Sequence, residues 1–341
     1  MKNSGTKIYA KTLIAFCILI LAAVCPALQA QKIPPLKFDK NGKFKILQFT
    51  DAHLKPENKP RCDSVIAIMK SVIEAEKPGL VVLTGDIATS EDVKKAWLTV
   101  TKPMAEAGIP WAAIFGNHDF EHGFTNRRIM EYLQTLPYNL SINGPDDING
   151  SGNYTLEIEN ADGGKTGALL YFFDSNAYTS EKNNKELGHY DWIKFNQIVW
   201  YRKTSETYTL KNNGKPYPAL AFFHIPLPEY AAVQKKAGTI GDKEENVSSP
   251  VVNSGMYCAF LEEKDVMAAF CGHDHENNYI GTLNGIALAY GCKTGKDAYG
   301  KLDKGGRVIV LYQGERKFDT WLHTTNDPVK YLVKYPETFN K

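Results

Sequence analysis

The chain has 341 residues, of which 43% are hydrophobic and 23% charged, with a formal net charge of +2. That composition suits a globular protein with a sizeable core and excludes a collagen-like, low-complexity or disordered chain. The small net charge excludes a general nucleic-acid or membrane-surface binder, which needs a strongly basic face.

Residues 1–30 read as a secretory signal peptide. Lys2, Lys7 and Lys11 form a positive start, Leu13 to Val24 is an unbroken apolar run, and Ala27-Leu28-Gln29-Ala30 offers small residues for cleavage. The run is short for a bilayer span, and no other segment is apolar enough for one. The expectation is an exported chain, periplasmic or secreted, with no stable membrane span after cleavage. Removal of these residues takes Lys+Arg from 40 to 37 against 38 Asp+Glu, and the net charge from +2 to −1. Cys62, Cys258, Cys271 and Cys292 then remain, with no CxxC zinc spacing, and read as buried thiols or a single bridge.

Residues 31–341 read as one domain. Phe44 to Phe49 alternates into a strand. Cys62 to Glu76 has helical spacing and stops at Pro78-Gly79. Leu80 to Leu83 is a short buried strand, Glu91 to Ala107 a helix, and Trp111 to Phe115 the next strand. This rhythm points to βαβ crossovers in a largely parallel sheet. Asn143 to Asn153 is a polar loop. Tyr154 to Ile158 and Ala168 to Phe173 read as strands joined by a turn at Asp162-Gly163-Gly164. Tyr190 to Thr204 has helical spacing, Ala219 to Phe223 is a buried strand, and Ala232 to Ser249 reads as a surface loop. Val266 to Cys271 is followed by strand-like runs at Tyr279–Thr282, Ile286–Tyr290, Val308–Tyr312 and Phe318–Leu322, ending at about residue 325.

Five motifs punctuate this order: Asp51-Ala52-His53, Gly85-Asp86, Gly116-Asn117-His118-Asp119, a lone His224, and Gly272-His273-Asp274-His275. Each follows a strand-like run. Ligands of open α/β sheets sit beyond the carboxyl ends of strands, so the five should converge on one edge of the sheet. Carboxylates, imidazoles and an amide are the donor set for divalent transition metals. Seven such side chains suit two ions better than one. Two ions about 3.5 Å apart can share a hydroxide and clamp a phosphate for in-line attack.

The ordered set, spanning residues 43 to 293, resembles the calcineurin-like metallophosphoesterase family. The resemblance implies an α/β fold of four layers, with two mixed β-sheets packed face to face and helices outside them. It implies a binuclear centre of two divalent transition metal ions (iron, zinc or manganese). Asp51, His53 and His275 would hold the first ion, Asn117, His224 and His273 the second, and Asp86 would bridge them. His118 is similar to the family's non-ligand histidine, which holds the phosphate or protonates the leaving oxygen, and Asp119 would orient it. The run Ala221-Phe222-Phe223-His224-Ile225-Pro226-Leu227-Pro228-Glu229-Tyr230 resembles the purple-acid-phosphatase-like branch of plants and fungi. That branch's iron-binding tyrosine position is Thr89 here, and His53 stands where true purple acid phosphatases carry glycine. An obligatory ferric ion is therefore not implied.

The resulting expectation is an exported phosphoesterase that hydrolyses phosphomonoesters of a small phosphorylated substrate. Its rivals are a phosphodiesterase acting on nucleotides or lipid headgroups, and a non-catalytic phosphate- or metal-binding protein on the same fold. Beyond Asn117 and His118, His122 and Arg127 are candidate substrate contacts, because an imidazole and a guanidinium fork both suit phosphate. Asp274 reads as structural, and His189 with Tyr190 as a possible frame for substrate.

Overall fold

The computed structural model describes residues 33–340. The signal-peptide reading of residues 1–30 lies outside them. In chain order the strands are β1 (Lys43–Phe49), β2 (Leu80–Thr84), β3 (Trp111–Ile114), β4 (Tyr154–Glu159), β5 (Thr166–Phe172), β6 (Ala219–Phe222), β7 (Val266–Cys271), β8 (Ile280–Leu283), β9 (Ile286–Tyr290), β10 (Gly305–Tyr312), β11 (Phe318–Thr324) and β12 (Lys330–Tyr335). The helices are α1 (Lys59–Glu76), α2 (Val93–Ala107), α3 (Asn126–Leu133), α4 (Glu181–Leu187), α5 (Phe195–Lys211), α6 (Tyr230–Lys235) and α7 (Met256–Glu263). Among the described residues no helix is long and apolar enough to cross a membrane.

The strands form two six-stranded mixed sheets, ordered β12-β11-β10-β1-β2-β3 and β4-β5-β6-β7-β9-β8. Alternation along each strand decides which layer a side chain enters. In β1, Phe44 and Ile46 face an inter-sheet core shared with Leu170, Phe222, Phe270 and Leu288 of the second sheet. Leu47 and Phe49 point the other way, into a cluster with Met69 and Val72 of α1, Trp97 and Val100 of α2, and Ile129 of α3. β2 is buried on both faces, which is why it reads as a continuous apolar run. The result is the four-layer α/β sandwich with flanking helices.

Local chemistry fixes the helix ends. Pro60 sits in the first turn of α1, where its missing N–H costs nothing. Asp92 caps α2 by accepting from Lys95 N at 3.0 Å, and Gly108 ends it in the left-handed conformation. Buried Arg307 of β10 ties the sheets together. Its Nε donates to the Tyr290 carbonyl at 2.6 Å and its Nη2 to the Asn278 carbonyl at 2.7 Å.

The structure corrects several expected boundaries. A further strand, β12, extends the first sheet beyond residue 325 by pairing antiparallel with β11. α5 begins at Phe195, so Trp192 and Ile193 precede it. The expected 232–249 loop begins inside α6, and its later part bridges to β8 at Ile240 and Ile280. α7 occupies a segment with no predicted element. All four described cysteines are free thiols.

Candidate metal centre

Asp51 and His53 follow β1, Asp86 follows β2, and Asn117 follows β3; His224 follows β6, and His273 and His275 follow β7. β1, β2 and β3 run parallel in the first sheet, and β6 and β7 run parallel in the second. The motifs therefore come from two sheets, not from one edge of a single sheet. They converge where the carboxyl ends of both sheets meet. Gln48 of β1 joins the sheets there, donating to Thr84 Oγ1 at 2.8 Å and to the Cys271 carbonyl at 3.1 Å.

The backbone at this rim is strained. Asp51, His53, Asp86 and His273 all have positive φ, at 50°, 43°, 52° and 79°. A non-glycine residue held there costs about 1–3 kcal/mol, and such strain collects at functional sites. Neighbouring loops hold it in place: Asp51 N donates to the Gly85 carbonyl at 3.1 Å, and His53 N to the Asp86 carbonyl at 2.9 Å. The motif glycines are required by close approach. A Cβ on Gly116 would lie 2.2 Å from Asp86 Oδ1, and one on Gly272 would lie 2.0 Å from Thr50 Oγ1 and 2.6 Å from Asp51 Oδ2.

Two compact donor groups result, Asp51–His53–His275 and Asp86–His224–His273, each with ligand atoms within 4.8 Å of one another. Asp86 Oδ2 lies 3.1 Å from His224 Nε2 of its own group and 3.7 Å from His53 Nε2 of the other. Its carboxylate thus stands between the groups. Asp51 Oδ1 lies 3.2 Å from His275 Nε2.

The polar atoms facing this space lack partners. His53 Nε2, His224 Nε2, His273 Nε2, His275 Nδ1 and Asn117 Oδ1 are buried without a hydrogen bond. Buried polar atoms are normally satisfied, so a cluster of such nitrogens and an amide oxygen around two carboxylates fits bound cations. Partners on the far side fix the orientation of two of them. His224 Nδ1 donates to the Thr84 carbonyl at 2.8 Å, and Asn117 Nδ2 donates to the Tyr178 hydroxyl at 2.7 Å. Those bonds leave His224 Nε2 and Asn117 Oδ1 for an ion.

Burial pushes His53 down to about 4 and His273 down to about 3, so both imidazoles are neutral, the form that ligates metals. Burial also disfavours charge on His224, but the carboxylates of Asp86 and Asp51 outweigh it and raise the group to about 10. Burial opposes ionisation of Asp86, yet the His224 imidazole beside it holds that carboxyl well below the usual range.

The expected pairing of Asp119 with His118 is corrected by the structure. Asp119 is buried and accepts four backbone N–H groups, from Asp86, Ile87, Ala88 and Gly116, at 2.8–2.9 Å. Its carboxylate fastens the second motif to the third. His118 Nδ1 is instead 2.7 Å from Glu121 Oε1, and His118 N donates to Asp86 Oδ1 at 2.8 Å. The expected substrate contacts His122 and Arg127 are corrected too. His122 is exposed, and Arg127 is engaged by Asp146 at 2.7 Å and Glu131 at 3.5 Å. Neither lines the metal cleft.

That cleft has a volume of about 180 Å³ and is walled by five of the donors, His53, Asp86, Asn117, His273 and His275, together with His118, Tyr190, Ser248, Asp297 and Tyr299. Tyr190 places its ring 4.6 Å from His273, edge to face, and Tyr299 lies 4.1 Å from His275 with its hydroxyl on Glu245 at 2.7 Å. Sequence reading missed Tyr178 and Tyr299, which lie on irregular segments without periodic signal. Asp274 is structural: it accepts from the Tyr290 hydroxyl at 2.5 Å and from Ser248 N at 3.1 Å.

Comparison with known proteins agrees with this geometry. Residues 44–277 match the family model described as calcineurin-like phosphoesterase. Probable inactive purple acid phosphatase 29 of Arabidopsis thaliana is 38% identical over 84% of this chain and 81% of its own length. Phosphatase DCR2 of Saccharomyces cerevisiae is 32% identical over 84% of this chain and 54% of its own. Among solved structures, a dimetal phosphatase from Danio rerio superposes with a TM-score of 0.56, covering 88% of this chain and 99% of its own; at 14% identity this likeness concerns the fold. With two mixed sheets, two candidate metal-binding groups at their shared rim, and a model match across most of the chain, this protein belongs to the calcineurin-like phosphoesterase family.

Proposed function

We propose that this chain is an exported, metal-dependent phosphomonoesterase. One observation carries the reading: two buried donor groups whose unpaired nitrogens and amide oxygen surround two carboxylates. Asp51, His53 and His275 would hold one divalent ion, Asn117, His224 and His273 the other, with Asp86 shared. Two divalent ions of iron, zinc or manganese supply a water of lowered pKa and a positive clamp on the phosphoryl oxygens. Asp51 and Asp86 offset only about half of their charge, so the site favours an anionic substrate. His118, at the mouth of the cleft, presents Nε2 to the leaving oxygen while Glu121 holds Nδ1. Support for a monoester comes from the cleft's size, about 180 Å³, below the roughly 300–1,000 Å³ of pockets that enclose drug-sized ligands. A small phosphoryl group suits it, with its substituent outside. Export rests on the pattern of residues 1–30.

The names of the plant relatives favour a second reading, a non-catalytic phosphate- or metal-binding protein. Assays of p-nitrophenyl phosphate and bis(p-nitrophenyl) phosphate with manganese, zinc or iron separate the two and include the diesterase rival. The expected result is metal-dependent turnover dominated by the monoester. Diester-only turnover would make the chain a phosphodiesterase, and no turnover by protein carrying two ions would favour the non-catalytic reading.

Metal loading should also release a proton. In the metal-free chain His224, raised to about 10, is protonated at pH 8, and coordination through Nε2 requires the neutral ring. Calorimetric metal titrations in buffers of different ionisation enthalpy should report release of about one proton per chain from this group. The release should fade as pH rises past 10. Buffer-independent heats at pH 8 would show that His224 gives up no proton when the ions bind.

A further inference from the structure

We infer that Glu121 is the positioning residue for His118, the task that sequence reasoning gave to Asp119. The inference rests on the phosphoesterase reading above and names a component that the family's motif does not supply. Its starting point is the 2.7 Å contact between Glu121 Oε1 and His118 Nδ1. A carboxylate can only accept there, so Nδ1 carries the proton and Nε2 is the atom left for substrate. Asp119 cannot perform this task, because both its oxygens are occupied by backbone N–H groups. Those bonds do prepare the geometry. They anchor the turn that begins at Asp119, and Glu121 lies two residues along it, three residues from His118.

Exposure separates the pair from the ligands. The His118 side chain is 37% exposed and that of Glu121 is 40% exposed, whereas the Asp51 and Asp86 side chains are each 2% exposed. The ring lies 5.5 Å from His53 and 6.4 Å from Tyr178, at the mouth of the cleft where an ester substituent would leave. In the reaction, a water oxygen forms a new bond to phosphorus as the ester P–O bond breaks. The electron pair of that bond passes to the alcohol oxygen, which takes the proton from His118 Nε2, and water's proton leaves to solvent. Glu121 holds the ring in line. It does not touch the substrate.

A general acid matters most when the leaving group is a poor one. The test therefore compares an alkyl phosphate with p-nitrophenyl phosphate in metal-loaded protein. Glu121→Ala should lower kcat about 30-fold on the alkyl ester and less than about 3-fold on the nitrophenyl ester, within the 10–100-fold range of outer-shell partners. Glu121→Gln, which keeps an acceptor but loses the charge, should fall between Glu121→Ala and the parent. Metal content should stay that of the parent in both. In the His118→Ala background, Glu121→Ala should have no further effect. Equal losses on both esters, an additive double variant, or full activity of Glu121→Ala where His118→Ala is impaired would overturn the assignment to Glu121. Full activity of His118→Ala would instead overturn the acid role on which it rests. Because Glu121 is a surface residue, either variant should fold, and the metal content verifies that.

Discussion

Asp86→Asn is expected to lower turnover by about 10³-fold and to abolish tight binding of both ions, beyond the 10–100-fold cost of changing an outer-shell partner. The geometry gives the reason. Asp86 Oδ2 lies close to imidazoles from both donor groups, 3.1 Å from His224 and 3.7 Å from His53. Asparagine keeps the shape and the acceptor for His118 N, which lies 2.8 Å from Oδ1, but removes the negative charge. The fold should survive, because the amide is isosteric. Melting curves distinguish lost metal binding from lost structure. Metal at 100 times its dissociation constant stabilises a chain by about 2.7 kcal/mol, so the parent should melt well above its chelated form. The variant should melt near the chelated parent with or without metal. A variant that retains the metal-induced rise would show that Asp86 is not shared between the ions.

Asp119→Ala should have the largest effect on stability, about 4 kcal/mol or more. Four buried N–H groups lose their acceptor together, and each unsatisfied group costs about 1–3 kcal/mol, less whatever entering water restores. The loss falls on the loops after β2 and β3, so the site should loosen and metal affinity should drop with stability. Had Asp119 been the orienting partner of His118, the same change would have spared stability and cost turnover on poor leaving groups. Denaturant unfolding of the chelated proteins decides between the two. A midpoint equal to that of the parent would contradict the fastening role.

Much of the site was legible because strand ends are legible. Asp51, Asp86 and Asn117 each follow a short apolar run, and the carboxyl ends of parallel strands point ligands to a common rim. The donor groups could therefore be assembled from the order of motifs. The family resemblance implied two sheets, but strand pattern alone did not assign each motif to one of them. The β6–β7 pair and the β1–β2–β3 set have the same local pattern, and only long-range pairing separates them. Asp119 was misread for a related reason: its four partners are backbone amides, which leave no trace in residue type. Arg127 was misread because its neutralising partner, Asp146, lies in an irregular loop. β12 escaped notice because its sequence, Lys-Tyr-Leu-Val-Lys-Tyr, carries an edge strand's polar residues. Glu121 stood in view beside the third motif, but sequence alone gave no reason to prefer it over Asp119.

The most direct test of the account is the metal stoichiometry of the active protein. Protein stripped with chelator, reloaded, passed through a desalting column and analysed by plasma mass spectrometry should hold two ions per chain, one for each donor group. Monoester hydrolysis should rise with occupancy and reach its maximum only when both groups are filled. One ion or fewer per chain at maximal activity would contradict the two-ion centre.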